Sequence, residues 1–234
     1  MGGFCLSSIP ESTQIGHHVT IEDHVTVGEN VVIGHNSVIL EGTKIDNNVM
    51  IGCNCVLGIK PAINQRMRKT SNTTELVIKA GTRIGHLVSI YAGTQVGEEV
   101  FIGDHASIRE NTIVGDKTVI GRAAIVELNT QIGDSCTIQT MAYITGDTII
   151  ENNVFVGPCV SMSNDKYMGA RSYSLKGPFI KNGAKIGNNA SLLPGVNIGN
   201  NTIVGAGSVV TKHLENGVIA VGIPAKKIDL SEES

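Results

Sequence analysis

Residues 84–125 read IGHLVS IYAGTQ VGEEVF IGDHAS IRENTI VGDKTV IGRAAI when cut every six residues, and each piece opens with Ile or Val. The same period starts at Ile9 and runs through Ile15, Ile21, Val27, Ile33, Ile39 and Ile45 to Ile51. It continues from Ile78 to Val156 and returns from Ile180 to Val204, giving 27 hexads that all begin with Ile, Val or Leu. The fifth position is confined to small or β-branched residues, as at Thr13, Val31, Cys55, Ala106, Cys136, Val160 and Ser208. Six fits neither a heptad nor strict alternation. It fits a parallel β-helix in which each hexad supplies one short strand and one turn. Three hexads close a coil, so residues 18 apart lie above one another, and 27 hexads predict about nine coils. With strands about 4.8 Å apart, the prism would be on the order of 40 Å long. First-position aliphatics fill its axis, fifth positions share a narrow corner, and the frequent second-position Gly predicts a turn with unusual backbone angles.

The composition agrees: 28 Gly, no Trp and 3% aromatic residues suit a thin stacked core. The 234 residues predict one domain with two excursions. Residues 1–56 form an N-terminal prism and 57–77 an excursion loop. Residues 78–209 form the main β-helix, with a second loop at 162–179, and 210–234 form a tail. A net charge of −3 argues against nucleic acid or anionic membrane as partners. No apolar run reaches membrane length, and Met1–Gln14 lacks a signal-peptide core. The five cysteines, two of them in the inward column, read as reduced and structural in a cytoplasmic protein. Flat exposed faces on a solenoid predict association with further copies.

Function concentrates where the repeat breaks. The first excursion holds Arg66, Met67, Arg68 and Lys69, which read either as a solvated connector or as a clamp for a diphosphate. In the central block, every third hexad replaces the second-position Gly: Tyr91, Arg109, Glu127 and Thr145 are spaced by 18 and form one outward ladder. Its next rung is Ser163, at the mouth of the second loop. Arg109 and Glu127 are expected to touch, with Glu110 and His105 close by. The alternative is an exposed ion pair of little energetic weight. Three zinc-binding histidines would suggest a γ-class carbonic anhydrase, but no His-x4-His spacing occurs and no metal is expected.

The chain resembles the left-handed β-helix, or hexapeptide, acyltransferases over essentially all of residues 9–228. The likeness is carried by Ile150–Val160 followed by Ser163-Asn164-Asp165, by Ile186–Val196, by Val204–Lys212 and by Val221–Ile228. Within that family it is most similar to nucleotide-sugar N-acetyltransferases acting on dTDP-3-amino-3,6-dideoxyhexoses. The extra N-terminal prism, the first excursion, and the segments Ala106–Asn111, Gly121–Glu127 and Ala142–Thr145 carry that likeness. It implies an all-β, left-handed, trimeric fold, with acetyl-CoA as co-substrate, a nucleotide-linked amino sugar as acceptor, and clefts between subunits. Ala190, Gly205 and Ala206 match positions along the pantetheine arm, while Thr211, Lys212 and Lys226 match positions near the adenine nucleotide.

A hydroxyl acceptor needs a general base. O-acetylating relatives carry a His in the second loop, and residues 162–179 contain none. A neutral amine attacks a thioester without one, so the missing His favours N-transfer. The expected roles follow. Glu127 orients the amine or takes its proton, Asn164 and Asp165 line the pocket, and His105, Arg109, Glu110, Arg66 and Arg68 bind sugar and diphosphate. Other amino sugars, an O-acetyltransferase and a non-catalytic binding module are the alternatives.

Overall fold

The computed structural model describes residues 9–62, 64, 65, 67, 68, 70 and 74–228. It is a three-faced parallel β-solenoid of two-to-four-residue strands. Face one has 12 strands, from Gln14–Ile15 to Lys226–Ile228. Face two has 10, from Thr20–Ile21 to Val209–Val210. Face three has 9, from Thr26–Val27 to Asn197–Ile198. Each rung pairs with the equivalent rung of the next coil, as in Ile108 with Val126 and Val126 with Ile144.

Face one carries eleven parallel rungs where about nine coils were expected. Strands reaching beyond the 27 hexads are Val56–Ile59, Ser161–Met162 and Val209–Val210 on face two and Ile219–Val221 on face one. Sequence reading assigned Leu57, Met162, Val210 and Ile219–Val221 to loops or tail because the regular run stops beside them. A final strand, Lys226–Ile228, folds back antiparallel on Ile219–Val221.

The rungs run on across both excursions. Arg83 pairs with Met50, so the whole first excursion is an insertion within a single coil. Lys185 pairs with Phe155, and the second excursion is accommodated in the same way. Residues before and after the first excursion therefore share one ladder on all three faces.

First-position residues are buried throughout the centre, among them Ile90, Ile102, Ile108, Ile120 and Ile144 at 0% exposure. Each fully buried aliphatic contributes about 1.5–3 kcal/mol relative to exposure. Fifth-position Cys55, Ala106, Cys136 and Ser208 are equally enclosed.

The glycine expectation needs a correction. Second-position glycines are demanded by close approach rather than by backbone angle: a Cβ at Gly121 would stand 2.5 Å from the Thr140 nitrogen of the next coil. The left-handed residues are instead at position four, such as Asn111 (φ 56°), Asn129 (φ 56°) and Asp147 (φ 62°). Asn and Asp tolerate that region through local hydrogen bonds. No helix among the described residues is long and apolar enough to cross a membrane.

Candidate active site

Both excursions leave the solenoid at the same edge, the corner between faces two and three, after Ile59 and after Met162. Between these exits, the same corner holds the ladder anticipated from the sequence spacing. Register stacks Ile90, Ile108, Val126 and Ile144, so Tyr91, Arg109, Glu127 and Thr145 follow one another up the edge.

Arg109 is the hub. Its Nε and Nη2 donate to the Glu110 carboxylate at 2.8 and 3.1 Å, its guanidinium lies 4.8 Å from the Tyr91 ring centroid, and Nη1 is 3.7 Å from Glu127 Oε2. Glu110 is 1% exposed, the one charged side chain among the fully buried described residues. A buried carboxylate is tolerable only when paired this way. Hydrogen bonding to Glu110 outweighs desolvation and raises the Arg109 pKa further.

Arg68 reaches the same edge from the first excursion. Its guanidinium donates to both Asp147 oxygens at 2.5 and 2.7 Å, across 79 residues of sequence. Asp147 also accepts from the Asn129 carboxamide at 3.3 Å, and Asn129 accepts from Asn111 at 3.4 Å. Burial pushes the Asp147 carboxyl up, but hydrogen bonds from Arg68, Asn129 and Asn164, with the Arg68 charge, hold it below its ordinary 3.8.

The charges can be counted. Arg68 is matched by Asp147 and Arg109 by Glu110, which leaves Glu127 as the surplus negative charge of the cluster. Its side chain is 22% exposed. Tyr143 stands beside it on face two, and its phenol is held above the ordinary value first by burial and then by the Glu127 charge.

The second loop meets this edge through Asn164, whose carboxamide donates to the Gly146 carbonyl at 3.2 Å while its main-chain carbonyl accepts from Lys176 N–H at 2.9 Å. Asp165 turns away into its own loop. Its two oxygens accept the N–H groups of Tyr167 at 2.8 Å and Gly169 at 2.7 Å, which shapes the loop and occupies the carboxylate.

Three other expectations are displaced. His105 sits at the opposite end of its strand from Arg109, in the corner between faces one and two, because only Ala106, Ser107 and Ile108 separate them and those residues cross face two. Arg109 and Arg68 do not offer free cations to a diphosphate, since each is committed to an ion pair, and Glu110 is the buried carboxylate that takes Arg109. Arg66 lies outside the described residues.

The residues matched to acetyl-CoA fall on two edges. Ala206 is exposed at the corner of faces one and two, above Gly205, and Lys226 lies on the antiparallel strand nearby. Ala190 is enclosed, with its N–H on Gly187 and its carbonyl accepting from Ser161, so neither group is free for a ligand. Thr211 and Lys212 are on the other edge, above the second loop, beside a cavity of about 470 Å³ also lined by Pro194, Gly195 and His213. Among the described residues, no group of three His, Cys, Asp or Glu side chains is placed to hold a metal ion.

Sequence reading missed Asn111, Asn129, Asp147 and Tyr143. The spacing of 18 from Asn111 to Asn129 to Asp147 was a usable signal, but nothing in the sequence connects Asp147 to Arg68.

The bacterial transferase hexapeptide (six repeats) family matches residues 7–41, 24–58, 129–164 and 177–212, more than half of the chain. The hexapeptide repeat of succinyl-transferase matches 111–145. The chain belongs to the bacterial transferase hexapeptide family. It is 36% identical over 87 residues to the galactoside O-acetyltransferase of Escherichia coli, covering 34% of this chain and 42% of that protein. It is 33% identical over 110 residues to the galactoside O-acetyltransferase of Lactococcus lactis, covering 37% and 53%. The chain thus spans about half the length, or less, of these curated relatives. Among solved structures it is similar to PerB from Caulobacter crescentus in complex with CoA and GDP-perosamine, at 24% identity and a TM-score of 0.39 over 67% of this chain and 58% of that one.

Proposed function

We propose that the chain is an acyl-CoA-dependent N-acetyltransferase whose acceptor is the amine of a nucleotide-linked sugar, of the dTDP-3-amino-3,6-dideoxyhexose type. The observation that carries this reading is the charge balance of the edge. Two guanidinium groups have their own carboxylates, and Glu127 remains to meet a cation. A sugar ammonium is such a cation, and a hydroxyl is not.

The ammonium binds beside Glu127 and gives it one proton directly or through water, and the freed amine attacks the thioester carbonyl of acetyl-CoA. The C–N bond forms, the C–S bond breaks, and the second nitrogen proton passes through water to the departing thiolate. A backbone N–H steadies the developing oxyanion. Asn164 borders the same pocket, and Asp165 keeps the loop in shape around it. A cavity of about 560 Å³ lies lower on the edge, lined by His24, Glu41, Lys60, Thr74, Glu75 and Ala92, with the Lys60 ammonium paired to Glu41.

Acetyl-CoA touching Ala206 and Lys226 as well as Thr211 and Lys212 must reach two edges of the prism, which suits a cleft between copies. A homotrimer supplies three such clefts. Apolar side chains that one copy leaves exposed, such as Met50, Phe101, Ile113 and Ile149, are available to that interface.

Free thiol release from acetyl-CoA, measured against dTDP- and UDP-linked amino sugars, tests the proposal. The amino sugars are expected to react. Glu127→Gln is expected to lower kcat by roughly 100-fold if the carboxylate takes the proton. The relatives named for O-acetylation make a hydroxyl acceptor the second reading; turnover of hydroxyl acceptors alone would replace the first.

A further inference from the structure

We propose that Asp147 is a positioning residue: through Arg68 it clasps the first excursion across the coil edge and thereby fixes the acceptor end of the site. The catalytic half of this inference rests on the N-acetyltransferase reading; the clasp itself does not.

The excursion leaves the solenoid at Ile59, level with Tyr91, and re-enters at Val77, level with Gln95. Asp147 stands three rungs higher, after Gly93, Asn111 and Asn129, or roughly 14 Å up the edge at about 4.8 Å per strand. To reach it, Arg68 must climb past Arg109, Glu110 and Glu127.

Burial along the edge shows the consequence. At the third turn position, Glu98, Arg122, Asp134 and Thr140 on the other two corners are exposed, whereas on this corner Ala92, Glu110 and Gly146 are buried and Leu128 is half-buried. The Arg68 pKa is raised first by its hydrogen bond to Asp147 and, more weakly, by the Glu110 charge. Among the described residues, both excursions meet this corner and neither of the other two: Asn164 of the second lies on Gly146, and Arg68 of the first reaches Asp147.

Asp147 is well suited to fasten such a cover. Its two oxygens take both Arg68 nitrogens in a bidentate pair, the geometry that gives a carboxylate–guanidinium contact directional strength. The Asn129 carboxamide holds it from below, and the Asn164 carboxamide of the second loop binds the adjacent Gly146 carbonyl. Asp147 therefore joins the coil edge to the first excursion beside the point where the second one docks. Loss of Asp147 frees the first excursion while leaving the solenoid rungs, which depend on backbone pairing and buried aliphatics, in place.

The test compares wild-type protein with Asp147→Asn, Asp147→Ala and the exchanged pair Arg68→Asp/Asp147→Arg. Cleavage within residues 60–75 by proteinase K, whose specificity does not depend on Arg68, is followed by mass spectrometry, and steady-state kinetics are followed with acetyl-CoA and the amino-sugar acceptor. Cleavage is expected to accelerate by roughly tenfold in Asp147→Ala and to slow again in the exchanged pair. The KM for the acceptor is expected to rise by roughly tenfold, with the KM for acetyl-CoA changed by less than about twofold. Unchanged cleavage in both single variants overturns the clasp. Equal rises in the two KM values overturn the positioning role. If the wild-type protein acetylates no amino sugar, the proposed function fails, and the cleavage comparison alone decides the clasp.

Discussion

Glu110→Gln tests whether Glu110, read from the sequence as a substrate ligand, is instead the buried counter-ion of Arg109. The substitution keeps size and removes the charge. In the fold, Glu110 is 1% exposed and takes two guanidinium hydrogen bonds from Arg109, at 2.8 and 3.1 Å. A glutamine accepts one of them and turns an N–H toward the other donor. Removing one member of a fully buried pair costs about 3–5 kcal/mol. Arg109 retains 20% exposure and has Glu127 at 3.7 Å as a substitute partner. The expected cost is therefore lower, about 2–3 kcal/mol. At about 2–4 °C per kcal/mol for a chain of this size, the thermal midpoint falls by roughly 4–12 °C. Far-UV circular dichroism measures the midpoint, and thiol release well below it measures turnover. Turnover should also fall, because Arg109 released from Glu110 re-pairs with Glu127 and consumes the surplus carboxylate. A midpoint within about 1 °C of wild type would refute the burial argument, and with it the claim that Glu110 is a structural counter-ion.

Two further outcomes follow from the same coordinates. Cys55 and Cys136 are enclosed, and burial pushes both thiols above their ordinary value, while Cys159 is exposed. A thiol reagent should label Cys159 in the native protein and reach Cys55 and Cys136 only after denaturation, as mass mapping would show. Asp147 is held below 3.8 in the folded chain, so its contribution is present above that value and is lost as pH falls through the lower folded one. The stability difference between wild type and Asp147→Asn should therefore be constant near neutrality and shrink as pH falls below 3.8, read from melting midpoints across pH.

Much of the solenoid was legible because its core is one-dimensional. Ile108, Val126 and Ile144 recur at a fixed interval, each must face the axis, and no other arrangement buries them all. The same regularity placed Arg109 above Tyr91 and below Glu127. It failed at Leu57, Met162 and Val210, where a strand borders an irregular segment and its neighbours no longer announce it. It also misjudged the second-position glycines, because the contact that excludes a Cβ at Gly121 comes from the next coil and not from its own turn.

The candidate site was half legible. Period 18 gave the column, since stacking turns sequence interval into vertical contact. It could not tell which of three corners a given turn occupies, so His105 was grouped with Arg109 although they lie at opposite ends of one strand. Nor could it say which charges are already spent: the pairing of Arg109 with Glu110 follows from side-chain direction, and that of Arg68 with Asp147 from the path of an aperiodic excursion. By itself, then, the sequence determined the coil, its core and the vertical order of the edge, because all three follow from a repeat that hydrogen bonding enforces. Only the tertiary structure decided that Glu127 is left over and that Asp147 ties the first excursion to the edge. Those facts depend on the lateral meeting of segments 79 residues apart, where no period operates.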